Sequence, residues 1–181
     1  MQTFGMRVLS MIVLGLPIWA WPVSVQGADQ VQGVSVVDDA DDLNAEVERR
    51  VKDGRYSEAE PLAIRVLSLR ERALGPDHSK VAEALNNLAE TYRLLGRYVE
   101  AEPLHKRALS IWEKALGEDH LEVATSLANL GLLFTVQSRF DEAEPLYKRS
   151  LAIREKALGS EHPVIALSLN ALAGLHRAKR Q

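Results

Sequence analysis

Three histidines stand at one spacing along the chain. His78, His120 and His162 are each 42 residues from the next, and each follows an acid: Asp77, Asp119 and Glu161. Imidazole beside carboxylate is metal chemistry when the groups converge, because zinc draws its nitrogens to ~2 Å. Equal spacing argues against convergence. Side chains related by a repeat point in parallel, and packed helices lie ~8–10 Å apart. The expected role of each acid–histidine pair is to cap the next helix and fill the turn before it, with no metal and no cofactor. Acid pairs such as Glu58 and Glu60 recur at the same period on helix starts, which suits capping better than general acid–base work. His105 and His176 lie off the ladder and are expected as core or cap residues. The chain has no GxSxG, no HExxH and no phosphate-cradling glycine loop. It is not expected to be an enzyme.

The chain that positions these groups has 181 residues, 46% hydrophobic and 26% charged, which is a globular balance. A net charge of −3 disfavours nucleic-acid binding, which needs a basic footprint. With no cysteine, disulfides, thiolate zinc sites, a Cys nucleophile and a lipoprotein anchor are excluded.

Residues 1–27 read as a secretory signal. Arg7 is the one charged side chain there, Val8 to Trp21 is apolar, Pro22 breaks the run, and Val25-Gln26-Gly27 precedes a cut at Ala28. The alternative is an uncleaved N-terminal membrane anchor; spanning takes ~20 apolar residues, reached here only by including Pro17, Pro22, Ser24 and Gln26. Either reading places the rest of the chain outside the cytoplasm, periplasmic or secreted, touching a membrane only through that segment if it stays. Residues 28–37 lack helical periodicity and read as a flexible leader. Asp38, Asp39, Asp41 and Asp42 then open the folded part, as carboxylates favoured at a helix N-terminus.

Everything after that obeys one period. Gly54 to Leu62 (GRYSEAEPL) returns as Gly96 to Leu104 (GRYVEAEPL) and as Ser138 to Leu146 (SRFDEAEPL). Laying residues 85–126 over 127–168 without a gap gives 21 identities in 42 positions, which is internal duplication. Each copy holds two helical patterns. Val81, Leu85, Leu88, Ala89, Tyr92 and Leu95 form one apolar stripe that Gly96 stops, and a second helix runs from about Tyr98 to Leu116 and ends at Gly117. Ser57-x-x-Glu60 and Asp141-x-x-Glu144 have the form of capping boxes. Glu102 with Lys106 and Glu144 with Lys148 are i,i+4 pairs. Gly131 and Gly174 fall at or beside a small-residue position suited to close packing. No strand alternation is present.

The hairpin resembles the tetratricopeptide repeat, W-x2-L-G-x2-Y followed by A-x3-F. Leu85-x2-Leu88-Ala89-x2-Tyr92 with Ala101-x3-His105 is one copy, and Leu127-x2-Leu130-Gly131-x2-Phe134 with Ala143-x3-Tyr147 the next. The 42-residue length, with EAEPLYKR and ALGxDH, is similar to the kinesin-light-chain subtype. The resemblance implies an all-α solenoid, a superhelix of antiparallel helix pairs, over residues 38–181. Its copies are a degenerate one at 43–84, then 85–126, 127–168 and a closing helix at 163–181. In the first copy Glu46 stands where Leu88 stands, and Arg50 where Tyr92 stands. Both end copies fit capping by a polar outer face.

The resemblance further implies a peptide-binding groove on the concave wall made by the first helices. Motif position puts Asn44, Asn86, Ala128 and Asn170 in one row and Ala45, Asn87, Asn129 and Ala171 in the next, with Glu90, Leu132, Arg93, Thr135 and Arg177 a turn on. An amide is donor and acceptor at once and pairs with any extended backbone. The candidate groove residues are Asn86, Asn87, Glu90, Arg93, Asn129, Thr135 and Asn170. The cationic clamp of chaperone-tail adaptors is missing, since its places hold Asp41, Glu83, Thr125, Asn86 and Ala128. The expected function is a non-catalytic protein-interaction scaffold with a protein or peptide partner. The alternatives are a self-associating structural solenoid and the adaptor fragment of a larger enzyme system.

Overall fold

The computed structural model describes residues 26–180. Among them the elements are seven helices: α1 (Gln26–Lys52), α2 (Tyr56–Leu74), α3 (Ser79–Leu94), α4 (Tyr98–Leu116), α5 (Leu121–Val136), α6 (Phe140–Leu158) and α7 (Pro163–Lys179). Each packs on its neighbours in the chain, and the odd-numbered helices also touch one another, α1 on α3, α3 on α5 and α5 on α7. The backbones of the even-numbered helices stay further apart, and these helices meet through long side chains, as in the 2.6 Å pairs Arg107–Glu71 and Arg149–Glu113. The stack therefore curves with its first helices inside, which makes them a concave wall. Nearly all of the signal segment 1–27 lies outside the described residues.

Two loop types alternate, and the period explains both. After each first helix the chain closes a Schellman motif: the Gly96 N–H donates to the Arg93 carbonyl and the Arg97 N–H to the Tyr92 carbonyl. Gly54 (φ 75°) and Gly96 (φ 76°) supply the left-handed residue, and Ser138 takes the same place at φ 60°. After each second helix, Gly75, Gly117 and Gly159 lead to a histidine cap. His78 Nδ1 accepts from the Lys80 N–H at 3.1 Å, His120 Nδ1 from Glu122 at 3.2 Å and His162 Nδ1 from Val164 at 3.3 Å. The ladder is a set of helix caps, as its spacing predicts. No metal-holding group of three or more ligands forms among the described residues.

Three apolar clusters fill the stack. The middle one joins Val81, Leu85, Ile111, Trp112, Leu127 and Ile153 across three repeats. Next to it, Gly131 admits the ring of Tyr147, whose atoms would lie 3.1 Å from a Cβ there. In the degenerate first copy, Glu46 and Arg50 pair at 2.7 Å in place of the Leu88–Tyr92 contact. The two substitutions compensate each other.

Several expectations are corrected. The segment 28–37 belongs to α1, since a helix anchored downstream propagates through residues of indifferent periodicity. Asp38 to Asp42 consequently sit within a helix rather than at its start. The capping boxes are not caps. Helices α2, α4 and α6 begin at Tyr56, Tyr98 and Phe140, so their N-caps are Arg55, Arg97 and Arg139, without a side-chain cap bond, and Ser57 and Asp141 fall inside the first turn. A Cβ at Gly174 would meet nothing within 4 Å, so no close packing explains it. The outward stripe of α7 is apolar rather than polar. Ala166, Leu169 and Ala173 are exposed there, with Leu169 50% exposed where its counterpart Leu127 is 1%.

A concave wall of paired amides and a change of polarity

The predicted amides are brought together, but chiefly with each other. Asn87 donates from Nδ2 to Asn44 Oδ1 at 3.0 Å, and Asn129 from Nδ2 to Asn86 Oδ1 at 3.1 Å. Each bond joins a first helix to the next, one repeat plus one residue along. The third such place holds Ala128 and Ala171, both packed on an apolar cluster. Where the pair is polar both members are asparagine, and where it is apolar both are alanine. That matching is what an inter-repeat staple requires, because a half-buried amide facing alanine would lose its partner.

The staples have backing. Asn87 also reaches Glu48 Oε1 at 3.4 Å, and Asn44 donates to Glu48 and Glu83. Asn86 Oδ1 accepts a second bond, from His105 Nδ1 at 3.1 Å. An amide oxygen cannot donate, so Nδ1 carries the proton and Nε2 is left as an acceptor. His105 is fully buried, and Nε2 has no partner. Burial first, and the nearby Arg93 charge second, push its pKa down to about 4. His105 is a neutral core residue, whereas His176 is exposed on α7.

Glu90 and Arg93 are paired at 2.6 Å, a bond that raises the Arg93 pKa and leaves both side chains partly accessible. Thr135 donates to the Gly131 carbonyl at 2.8 Å and lies 3.4 Å from the Tyr147 hydroxyl. Asn170 is exposed on α7 and joins no staple among the described residues. All seven candidates thus lie on first helices, but only Asn86, Asn87 and Asn129 belong to the amide ladder.

Sequence reasoning missed two ion-pair systems. Arg70, at the place of Trp112, is buried; it donates to Asp41 at 2.8 Å and to the Lys80 carbonyl at 2.9 Å, and Lys80 also holds Asp41. Burial alone would raise the Asp41 pKa, but hydrogen bonds and charges from Lys80 and Arg70 outweigh it and lower it. Arg139 bridges Glu142 of its own helix and Glu102 of the previous repeat while stacking on Phe134 at 4.0 Å; Arg97 does the same with Glu100, Glu60 and Tyr92. The Gly/Ser-Arg-aromatic triplet signalled the second system. An arginine at a core position signalled the first.

The wall also changes character along the stack. Asp41, Glu48, Glu83 and Glu90 of α1 and α3 have Thr125, Leu132, Leu167 and Gly174 at their places on α5 and α7. Leu132, Val136 and Leu167 are 36%, 40% and 65% exposed. Among the described residues no helix is long and apolar enough to cross a membrane.

The tetratricopeptide repeat family model matches residues 43–110, 80–155 and 129–181. Among solved structures, BtubC (BKLC) from P. vanneervenii is similar at 25% identity and a TM-score of 0.70, over 77% of this chain and 56% of that one. A Podosopora anserina chain assigned to the kinesin light chains, with nearly identical TPR-like repeats, is 26% identical with a TM-score of 0.73, over 80% of this chain and 69% of that one. A point variant of the latter gives 0.72 at the same identity, over 80% of this chain and 68% of that one. This chain thus spans little more than half the length of BtubC. No curated protein matches.

Proposed function

The chain belongs to the tetratricopeptide repeat family, in its kinesin-light-chain form, and on that premise we propose that it is a non-catalytic scaffold holding an extended segment of a partner protein on its concave wall. The observation that carries this reading is the crowding of α1, α3, α5 and α7 on one side of the stack. That crowding lines a continuous inner wall with half-buried polar and exposed apolar side chains. Because the staples use Asn86 Oδ1 and the Asn87 and Asn129 amide nitrogens, the amides left for a partner are Asn86 Nδ2 and the Asn87 and Asn129 oxygens. Glu90, Arg93 and Thr135 flank them, and Asn170 stands at the far end.

Site-specific photocrosslinking in the producing cell tests this. A crosslinker at Leu132, on the inner wall, should capture a partner that one at Val99, on the opposite face, does not; equal capture from both would overturn the groove. Export through residues 1–27 belongs to the same proposal, and the first residue of the recovered chain should then be Ala28. A second reading, self-association, is favoured by the exposed stripe Ala166, Leu169 and Ala173 of α7.

A further inference from the structure

The change of polarity along the inner wall identifies what a bound segment must carry. Helix α5 has a single charged residue, Glu122, against Lys80, Glu83, Glu90 and Arg93 on α3. An apolar residue gains nothing from facing water, yet Leu132 and Val136 stand open on α5, and Leu167 is exposed on α7 at the level of Thr125. Leu132 shares its row with Glu90 and Glu48, at whole-repeat spacing. At the α1 end of that row Val47, Glu48, Val51, Asn87 and Glu90 enclose a hollow of about 50 Å3. Glu90 is neutralised by Arg93, whereas Glu48 receives only the amide hydrogens of Asn44 and Asn87. Its carboxylate has no cation among the described residues.

Resting on the concave-wall reading, we propose that the occupant is a bipartite segment. An apolar side chain covers Leu132 and Val136, and a Lys or Arg lays its stem on the half-buried Val51 with its charge on Glu48. The geometry sets the spacing between the two. Leu132 and Glu48 are two first-helix steps apart, roughly 16–20 Å, which an extended chain crosses in about five or six residues. A segment with two acidic ends is disfavoured by Glu48, and a uniformly basic one leaves the α5 stripe uncovered.

The test is selection of a displayed library of random twelve-residue peptides on the purified chain, followed by fluorescence anisotropy with the enriched peptides. Enrichment of Lys or Arg five or six positions from a large apolar residue is expected. Affinity should fall about tenfold in Leu132→Asp and severalfold in Glu48→Gln, which keeps the oxygen that Asn44 and Asn87 use, with the helical circular dichroism unchanged in both. A peptide with its cation changed to Glu should bind Glu48→Lys better than it binds the parent. Peptides that respond to Leu132→Asp but are acidic, or ignore Glu48, overturn the bipartite inference and leave the groove standing. Peptides indifferent to every wall variant, or no enrichment at all, overturn both. A dimer in light scattering that Leu132→Asp returns to monomer assigns the stripe to a second copy and overturns the inference too.

Discussion

At the scale of single residues, His105 is the group whose surroundings make a quantitative demand. It is neutral, fully buried and bonded through Nδ1 to Asn86. Its pKa is about 4 folded and that of an ordinary histidine, about 6.5, unfolded. Between those values the unfolded chain binds the proton and the folded chain does not, so stability falls as pH drops from about 6.5 towards 4. The contribution lost is about 3 kcal/mol at pH 4, at 1.36 kcal/mol per pKa unit. Paired carboxylates such as Asp41 and Glu102 also lose stabilisation in acid, because their lowered pKa values reflect bonds to cations. The comparison that isolates the histidine is therefore with His105→Gln. Urea denaturation from pH 7 to 4 should show a steeper loss for the parent; parallel profiles would refute the buried neutral imidazole.

Elements here are ended by their loops more than by propensity. The left-handed position after α1 and α3 is glycine, but after α5 it is Ser138 at φ 60°. A side chain in that region costs energy that glycine avoids. Ser138→Gly should therefore stabilise the protein by about 0.5–1 kcal/mol, visible as a higher midpoint in thermal denaturation, and a lower midpoint would contradict the Schellman geometry. Helix identities and the α4 boundaries were legible because stripes and stop residues repeat. The starts of α2, α4 and α6 were misread for a definite reason. Ser57-x-x-Glu60 has the right letters for a capping box, but Arg55, Arg97 and Arg139 clasp the acids three residues on and draw the helix start forward. Helix α1 was misread because its N-terminal half has no apolar stripe from which a helix could be inferred.

For the whole molecule, stability is a sum of repeats and of the interfaces between them, and the amide staples sit at those interfaces. The chain itself contains the control, since Ala128 and Ala171 replace a staple as a pair. Asn44→Ala and Asn87→Ala should each cost about 1 kcal/mol, by stranding the half-buried Asn87 amide in the first case and the buried Asn44 oxygen in the second. The double variant should cost less than the two together, by about 0.5–1.5 kcal/mol. Strict additivity in a double-mutant cycle would show that the two amides do not act on each other. The same staples explain why the groove was only half legible. That Asn86, Asn87 and Asn129 lie on first helices followed from motif position, but which of their hydrogen-bonding atoms the neighbouring helix uses could not be counted along a line.

Local, repeated quantities are what the sequence alone determined. The 42-residue period, the alternation of two helices, the histidine caps and the membership of every candidate residue in a first helix all depend on residues a few positions apart or at a constant offset. Tertiary structure decided how faces are shared between copies. Curvature placed the first helices inside, Asn44 met Asn87, Arg70 was buried against Asp41, and α5 kept an apolar stripe in the open. Each of these depends on groups 29 to 43 residues apart meeting across a helix interface, and a pattern read within one helix carries no information about which of its faces a neighbour will cover.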